Sequence, residues 1–578
     1  MVKRYWFLLT LFVVLLWFVG CTSPADTPPP TVESDVAETA VITDPTPTIA
    51  PTPEPTPTLS PLPQASDGYP WWNHTVFYEV FVRSFYDSTG DGIGDLPGLI
   101  EKLDYLNDGD PTTSDDLGVT GIWLMPINVS PSYHGYDVVD YYEVNPDYGT
   151  NEDFKRLIAE AHKRGIRVIV DLVINHTSTQ HPWFIDARSG PDAQYRDWFV
   201  WEDEHPGWRG PEGQPVWHRT AHGYYYAVFW DGMPDLNLEN PEVTAEMYET
   251  ARYWLEDMGA DGFRLDAIKH LIERGPIQEN TRDTHEWLQG FYTFIKEVNP
   301  DAISVGEAWT NTQQVLRYTD GGVDVAFQFE LALAAINSIN SGFATQIGRE
   351  QRAIVRDFPP GQYATFLTNH DQNRIMSQFQ DDVGKAKLAA TWLLTSPGVP
   401  FIYYGEEIGQ QGVKPDEDIR RPMQWSSDSY RVGFTEGRPW RVPYEDFETK
   451  SVALQEDDPD SLLNHYRALI HLRNQQSALR VGDWVQVASE SNRVYAYLRY
   501  TDDEVLLVVM NLGPNELDEY ALSLDEGPLT AVFTPTLLFG DGDPAELTLN
   551  AAGGFEAYSP LPSLPPQSSF VIQLSGPE

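Results

Sequence analysis

Four short segments of the chain end an apolar run in carboxylates, histidines or both. In GFRLDAIKH at 262–270, Arg264, Asp266, Lys269 and His270 lie close together in sequence; DLVINH at 171–176, SVGEAW at 304–309 and FLTNHD at 366–371 are similar. Cleavage of an acetal needs one acid to protonate the leaving oxygen and a second carboxylate to meet the developing oxocarbenium ion. Asp266 and Glu307 are candidates for that pair. A lone acidic residue at a strand end is usually a helix cap or a surface charge, so the inference depends on their occurring together.

Buried strands and amphipathic helices alternate around these segments. Strand-like runs lie at 76–85, 121–127, 167–175, 262–266, 303–309, 323–329, 365–371 and 401–407, with helix-like segments between many of them, such as 152–165, 244–259 and 386–396. Eight such units predict an α/β protein with a closed (β/α)₈ TIM barrel. Reactive groups in that architecture gather at the carboxyl ends of the strands, and each of the four segments falls there.

The spacing of these runs also predicts the domain boundaries. The barrel would comprise residues 71–176 and 241–480, interrupted by an inserted domain at 177–240 that is rich in Trp, Tyr, Gly and Pro. Alternating runs after the last helix predict an antiparallel β domain over 481–578.

The start of the chain has the pattern of an export signal. Lys3 and Arg4 precede a short apolar run, and Cys21, the only cysteine, follows a small glycine as in a bacterial lipoprotein signal, which we predict over residues 1–21 with lipidation at Cys21. Residues 22–68 are rich in Pro and Thr and predict a disordered linker. We therefore expect an extracytoplasmic protein, lipid-anchored to the cell envelope or released from it.

The charge and the aromatic content of the chain limit the classes of molecule that it is expected to bind. With 86 acidic and 38 basic residues, the net charge of -48 would repel phosphate backbones, so nucleic acid is not an expected partner. The 18 Trp and 29 Tyr residues supply flat rings that can stack on sugars. A neutral substrate fits this composition, and we expect a monomer.

The four motifs in this order, together with MPDLN at 233–237, resemble those of the α-amylase family of glycoside hydrolases. The resemblance implies a barrel domain A, a domain B inserted after the third strand and a C-terminal β-sandwich domain C. It also implies retention of configuration and a role for each matching residue. Asp266 would be the nucleophile held ionised by Arg264, Glu307 the acid and base, Asp371 the third carboxylate, His176 and His370 donors to sugar hydroxyls, and Tyr136 the stacking ring.

Two cation sites are also expected. In residues 87–95, Asp87, Thr89, Asp91, Ile93 and Asp95 alternate along a glycine-rich loop whose oxygens suit a hard cation, although an acidic turn would look the same. Related branches of the family that this sequence resembles bind Ca²⁺ in such a loop. The resemblance further implies a second calcium held by Asn175, Asp235 and the His270 carbonyl, with its remaining ligand unidentified.

Specificity within the family is read from a few positions. His134 replaces the Asp that, with an arginine after the fourth motif, here Arg374, closes the pocket of exo-acting relatives. Lys269 and His270 resemble a pair that contacts sugars on the leaving-group side, and MPDLN lies between the patterns of the oligo-1,6-glucosidase and neopullulanase branches. We expect endo-hydrolysis of α-1,4-glucosidic bonds in starch, glycogen and maltooligosaccharides. The alternatives are an oligo-1,6-glucosidase or neopullulanase specificity and, from another class, a non-catalytic surface glycan-binding protein.

Overall fold

The computed structural model describes residues 61–530 and 534–575. The predicted signal, Cys21 and the greater part of the predicted linker lie outside the described residues. The statements below concern the described part of the chain.

The strands are short and mostly buried. They are β1 Phe77–Val80, β2 Gly121–Leu124, β3 Asn128–Val129, β4 Asp140–Val144, β5 Arg167–Leu172, β6 Trp201–Glu202, β7 Trp217–Thr220, β8 Gly223–Tyr226, β9 Gly262–Leu265, β10 Ile303–Gly306, β11 Val325–Phe327, β12 Tyr363–Thr365, β13 Val399–Tyr403, β14 Asp483–Ser489, β15 Val494–Tyr500, β16 Val505–Asn511, β17 Leu522–Glu526, β18 Thr536–Phe539, β19 Gly553–Tyr558 and β20 Ser568–Ser575.

Helices follow most of the barrel strands, and others lie in the inserted segment and in the loops at the carboxyl ends of the strands. They are α1 Val82–Phe85, α2 Leu96–Glu101, α3 Leu103–Leu106, α4 Asn151–Lys163, α5 Pro182–Ala187, α6 Pro241–Arg252, α7 Arg282–Val298, α8 Thr312–Tyr318, α9 Phe329–Ser341, α10 Thr345–Asp357, α11 Ile375–Gln378, α12 Val383–Thr395, α13 Asp416–Ile419, α14 Val452–Gln455, α15 Leu462–Gln475 and α16 Ser477–Val481.

Eight parallel strands within the described residues close into a barrel in the order β1-β13-β12-β11-β10-β9-β5-β2. Strands such as β1 and β9 are buried along their whole length, because one face meets the helices and the other fills the barrel. Trp123, Phe327 and Phe401 pack together in the interior. The predicted TIM barrel is therefore confirmed. The seventh barrel strand, β12, is earlier than expected, so FLTNHD follows the strand.

Residues 177–240 leave the barrel between β5 and α6. They contain α5 and a small antiparallel sheet in the order β6-β8-β7. Aromatic rings supply much of the packing: Phe184 contacts Phe199, Trp201 and Tyr225 with ring centroids 4.9 to 5.9 Å apart. Because each ring buries a large apolar area, this segment forms a packed body with little regular structure.

The residues after α16 form an antiparallel β domain, as predicted. Its described strands run in the order β18-β20-β16-β15-β14-β17-β19, and β14 pairs with β15 over its first residues and with β17 at its end. Side chains from both halves, including Leu507 and Phe555, share one apolar core. β14 thus joins two halves around a common interior.

The last residues of the predicted linker differ from the expectation. Ser66 and Tyr69 exchange backbone hydrogen bonds of 3.0 and 2.8 Å, and Arg167 Nη2 donates to the carbonyl oxygen of Pro63 at 3.2 Å. Arg167 is the first residue of β5, so residues 61–68 pack at the amino-terminal ends of the barrel strands. Pro63 and Ser66, which fall within the predicted disordered linker, thus have hydrogen-bond partners in the described structure. In the same described part, no helix is both long enough and apolar enough to cross a bilayer.

Candidate active site

A cavity of about 580 Å³ opens at the carboxyl ends of the barrel strands, between the barrel loops and the inserted segment. Most of the residues predicted from sequence line it: His134, Tyr136, His176, Asp266, Lys269, His270, Glu307 and Asp371. Phe229, Trp230, Trp309, Asp416 and Arg420 also line it and were not predicted. The strand ends thus bring together residues that are as far apart as 134 and 420 in sequence.

A single buried guanidinium organises the floor of the cavity. Arg264, on β9, is fully buried, and its Nη1 donates to Asp266 Oδ1 at 2.7 Å. Its Nη2 lies 2.7 Å from Glu307 Oε2. Since Nη1 and Nη2 belong to one rigid planar group, Asp266 and Glu307 are held as close neighbours. This is the proximity that a pair of glycosidase carboxylates requires.

Asp171, on β5, is a third partner of Arg264. Both of its carboxylate oxygens accept from Arg264 Nη1, at 2.8 and 2.9 Å, and its side chain is fully buried. Although DLVINH was recognised as a motif, Asp171 was not predicted as a site residue. Its contacts show that it fixes the arginine from below.

The backbone after Asp266 connects the two catalytic candidates. Ala267 adopts a left-handed conformation with φ 50° and ψ 35°. Its N–H donates to Glu307 Oε2 at 3.1 Å, and the N–H of Ile268 donates to the Glu307 carbonyl oxygen at 3.1 Å. A non-glycine residue in this region costs about 1 kcal/mol or more, and such strain is concentrated at functional sites. The sharp turn thus directs a donor onto the acid candidate.

Burial shifts the titration of both carboxylates. Burial raises the pKa of Asp266 to about 6, against the opposing effect of Arg264. Burial also raises the pKa of Glu307, and Arg264 again opposes it. At neutral pH Asp266 is therefore mostly ionised, whereas Glu307 is favoured as a proton donor relative to an exposed glutamate.

Asp371 is held in the opposite state. Burial would raise its pKa, but His370 and Arg420 outweigh burial and hold the pKa well below its usual range. His370 Nε2 lies 3.2 Å from Asp371 Oδ2, and Arg420 Nη2 donates to Asp371 Oδ1 at 2.8 Å. Asp371 is thus an ionised acceptor facing the cavity.

Tyr136 lies beside these carboxylates. Its hydroxyl donates to Asp171 Oδ2 at 3.0 Å, and its ring is nearly parallel to the rings of His134 and His370, with centroids 6.2 and 5.5 Å away. His176 is 1% exposed, and burial lowers its pKa to about 3, so it is neutral. The neutral His176 and the stacked rings are suited to uncharged hydroxyl groups.

The arginine predicted to bind substrate, Arg374, does not line the cavity, and another arginine, Arg420, does. Arg374 was predicted to bind substrate, but it is 2% exposed and its guanidinium donates to the carbonyl oxygens of Ile419 and Tyr404. Arg374 therefore supports the loop below the cavity. Arg420, at the end of α13, is the arginine that lines the cavity near His134 and Asp371.

Aromatic side chains form the rim of the cavity. Trp309 is 47% exposed, and its ring stacks on Phe329 with centroids 4.7 Å apart and planes 9° apart. Phe229 and Trp230, 39% and 48% exposed, come from the inserted segment. Several exposed rings around one cavity form an apolar patch of the kind that marks a binding site.

The predicted calcium loop is closed on itself. The Asp87 carboxylate accepts from the N–H groups of Thr89, Gly90 and Gly92 and from two hydroxyls, and Asp95 accepts from Ser88 and Gly98. Over the described ranges, no three acidic, His or Cys side chains gather in a metal-binding arrangement. The oxygen chemistry of the loop suits calcium, and calcium binding at residues 87–95 stays a prediction.

The second predicted site fits a cation better. Asn175 Nδ2 donates to Asp235 Oδ2 at 3.1 Å, while Asn175 Oδ1 is buried without a hydrogen-bond partner among the described residues. Burial raises the pKa of Asp235 well above its usual value, and Glu273 raises it further. A buried carboxylate beside an unsatisfied carbonyl oxygen would be stabilised by a divalent ion.

The fold and the carboxylate pair define a barrel glycoside hydrolase. The sequence matches the description "Alpha amylase, catalytic domain" over residues 79–482 and "Alpha amylase, C-terminal all-beta domain" over residues 484–575. The chain belongs to the α-amylase family. It is 41% identical over 450 residues to Alpha-amylase 3 of Dictyoglomus thermophilum, covering 77% of this chain and 86% of that protein.

The names of other similar proteins include both an enzyme for another linkage and a further alpha-amylase. The chain is 33% identical over 532 residues to an oligo-1,6-glucosidase of Parageobacillus thermoglucosidasius, covering 77% of this chain and 90% of the relative. The crystal structure of an alpha-amylase from H. orenii superimposes with a TM-score of 0.76 at 44% identity, covering 87% of this chain and 99% of that one. These relatives support the family assignment and leave the preferred linkage open.

Proposed function

We propose that the protein hydrolyses α-1,4-glucosidic bonds within α-glucan chains and retains the anomeric configuration. The observation that carries this proposal is the bridging of Asp266 and Glu307 by Arg264, at 2.7 Å from each. Retaining glycosidases require two carboxyl groups about 5 to 5.5 Å apart, so that one can reach the anomeric carbon while the other reaches the leaving oxygen. One guanidinium between the two groups favours such a separation.

The reaction would proceed in two steps. Asp266 attacks the anomeric carbon as Glu307 gives its proton to the glycosidic oxygen, so that the C–O bond breaks and the aglycone leaves as an alcohol. Glu307, now ionised, then takes a proton from water, whose oxygen attacks the anomeric carbon and releases Asp266. Each step inverts the anomeric carbon, so the product keeps the α configuration.

Polar groups in the cavity would favour the transition state. Asp371, ionised beside Arg420, accepts sugar hydroxyls, and Tyr136 offers a ring for the sugar to stack on. The raised pKa of Glu307 favours its role as the proton donor.

The rim supports binding of a chain that extends beyond the reacting sugar. Trp309 follows Glu307 by two residues, and Trp230 comes from the inserted segment at the same cavity. Both expose flat surfaces on which further glucose rings can stack. On the other side, neutral His134 faces Arg420, whose acidic partners are Asp371 and Asp416. With no carboxylate at position 134, an endo-acting cleft is favoured over a closed exo pocket.

The test is a product profile on starch, pullulan and isomaltose. Endo-hydrolysis of α-1,4 bonds predicts a rapid loss of starch viscosity and maltooligosaccharides of mixed length, with α-anomers appearing first by NMR. Rapid cleavage of isomaltose, with slow loss of viscosity, would instead support the oligo-1,6-glucosidase alternative, and panose from pullulan would support a neopullulanase. A protein that binds starch but releases no reducing sugar would be a glycan-binding protein.

We also propose that Ca²⁺ binds near Asn175 and Asp235. The support is the unsatisfied Asn175 Oδ1 beside the buried Asp235 carboxylate. Calcium should raise the melting temperature of the wild-type protein, and chelation should lower it. Asp235→Asn should remove that response; if it does not, the ion binds elsewhere, and the 87–95 loop becomes the site to test. Lipidation at Cys21 and an envelope location stay predictions, tested by palmitate labelling of wild type and Cys21→Ala.

A further inference from the structure

A buried ion pair lies directly behind the cavity and has no role in the reaction described above. Glu79, on β1, places its Oε1 2.5 Å from His370 Nδ1. Glu79 is 2% exposed and His370 is fully buried. A buried carboxylate without a compensating charge is strongly disfavoured, so the Glu79 carboxylate needs a positively charged partner.

The contacts of the His370 ring indicate its protonation. Nδ1 faces Glu79, while Nε2 lies 3.2 Å from Asp371 Oδ2 and 2.7 Å from the Tyr136 hydroxyl. Tyr136 uses its own proton toward Asp171, so its oxygen can accept from Nε2. A neutral imidazole would leave a lone pair facing one of the two carboxylates. Carboxylates at both ring nitrogens therefore favour protons on both of them.

Charges around the ring agree with this state. The groups that face His370 or its partners are Glu79, Tyr136, Asp171, Arg264, Asp266, Glu307, Asp371, Tyr403, Glu406 and Arg420. Arg264 is shared by Asp171, Asp266 and Glu307, and Arg420 by Asp371 and Asp416. The carboxylates outnumber the arginines. Despite burial, Asp371 and Glu79 raise the pKa of His370 to about 10.

We propose that Glu79 is a positioning residue that holds His370 as an imidazolium, so that Nε2 remains a donor toward Asp371 and the bound sugar over the working pH range. Without the Glu79 charge, a neutral ring would keep its single proton at Nδ1, where it would be hydrogen-bonded to the side chain at position 79. Nε2 would then be an acceptor facing the Asp371 carboxylate. The donor would be lost as the pH rises, while the protein would stay folded.

Glu79→Gln is the decisive variant, because it preserves shape and an acceptor oxygen but removes the charge. We expect kcat/KM on maltoheptaose to be near the wild-type value at pH 5.5 and to fall at least tenfold more than the wild type does between pH 5.5 and 8. A uniform loss at every pH would mean that Glu79 only supports the fold, and would overturn the proposal.

Glu406→Gln is the matched control. Glu406 is also buried at this end of the barrel, but its carboxylate accepts from Tyr466, and burial raises its pKa to about 8. Because Glu406 is largely protonated at neutral pH, glutamine should leave the pH profile unchanged. If Glu406→Gln altered the pH profile of kcat/KM as Glu79→Gln does, any loss of a buried carboxyl group at this end of the barrel would have the same effect. That result would contradict a specific role for Glu79.

A second measurement is independent of hydrolysis. The kinetic arm rests on the proposed function, whereas ¹⁵N–¹H NMR of histidine-labelled protein at pH 8 does not. We expect one imidazolium signal that is absent from His370→Gln and that becomes a neutral Nδ1–H ring in Glu79→Gln. Persistence of the imidazolium in Glu79→Gln would overturn the proposal. If the wild-type protein hydrolyses no glucan but Glu79→Gln still gives the expected NMR change, the hydrolase assignment is refuted and the role of Glu79 is not.

Discussion

The two ends of the barrel treat buried charge differently. At the carboxyl ends of the strands, Arg264 is surrounded by three carboxylates. At the amino-terminal ends, Arg473 donates to the carbonyl oxygens of Leu394, Ser396 and Gly398, and Arg499 donates to those of Thr395 and Gly482. Within the described residues, neither of these two arginines forms an ion pair.

The difference separates reactivity from stability. Carbonyl oxygens do not titrate near neutral pH, so the acceptors of Arg473 and Arg499 stay the same there while these contacts hold loops and the C-terminal domain. The partners of Arg264 can each gain a proton; burial raises the pKa of Asp266 to about 6 and also raises the pKa of Glu307. The first end can change state during a reaction, whereas the second is a fixed support.

The largest expected effect on activity comes from a change at the carboxyl ends of the barrel strands, where the cavity lies. Asp266→Asn should reduce kcat on soluble starch at least about 10⁴-fold while leaving the melting temperature nearly unchanged, because the amide cannot form the glycosyl-enzyme. The matched change at the base is Asp324→Asn, since Asp324 is a buried carboxylate that accepts from Ser304 just before β11. It should lower stability and leave kcat within about twofold. Equal rates for Asp266→Asn and wild type would remove the basis of the enzyme assignment.

At the base, Arg499→Met should cost about 2 to 3 kcal/mol of unfolding free energy without changing kcat per folded molecule, since two buried carbonyl oxygens lose a charged donor. Urea denaturation followed by tryptophan fluorescence measures it. Arg282→Met, at an 85% exposed side chain paired with Glu286, should change stability by less than about 0.5 kcal/mol. A loss of kcat in Arg499→Met would show that the two ends are coupled.

The pH profile sharpens the same contrast. Asp266 must be ionised to attack, and its pKa is raised to about 6, so kcat/KM should fall about tenfold per unit as the pH drops below that value. The fall should be reversible and should precede any change in fluorescence. Activity that stays constant down to pH 4 would show that Asp266 remains ionised there and would contradict the raised pKa.

The smallest effect concerns the rim. Trp309→Ala should raise KM for maltoheptaose about tenfold by removing a stacking surface of about 1.4 kcal/mol, with little change for α-glucosyl fluoride, which has no leaving sugar. Tyr430→Ala is the control, because Tyr430 is 51% exposed and does not line the cavity. Equal effects on both substrates would place Trp309 in the catalytic step and not in chain binding.

Residues on the barrel strands were predictable from sequence because position and pattern coincide there. Runs buried on both faces indicate parallel strands, and the residue that ends each run must face the mouth. This rule places Asp266 and Glu307 at the carboxyl ends of their strands, and their occurrence together with the other motifs made them the catalytic candidates. The order of the motifs then indicated the family.

Loop residues lacked such a rule. Arg374 follows Asp371 by three residues, but the chain turns into α11 and directs its side chain toward backbone carbonyls. Arg420 is 49 residues from Asp371 and lies on a loop without periodicity, so its 2.8 Å contact had no signal in the sequence. Trp309 was within a recognised motif, yet its exposure depends on stacking with Phe329 after the next strand.

The contact between Pro63 and Arg167 determines how the molecule could be held. Because residues 61–68 lie at the opposite end of the barrel from the cavity, any attachment made through the preceding chain enters at the base. The cavity opens at the other end of the barrel, away from residues 61–68. An added module fused before residue 61 should therefore be tolerated.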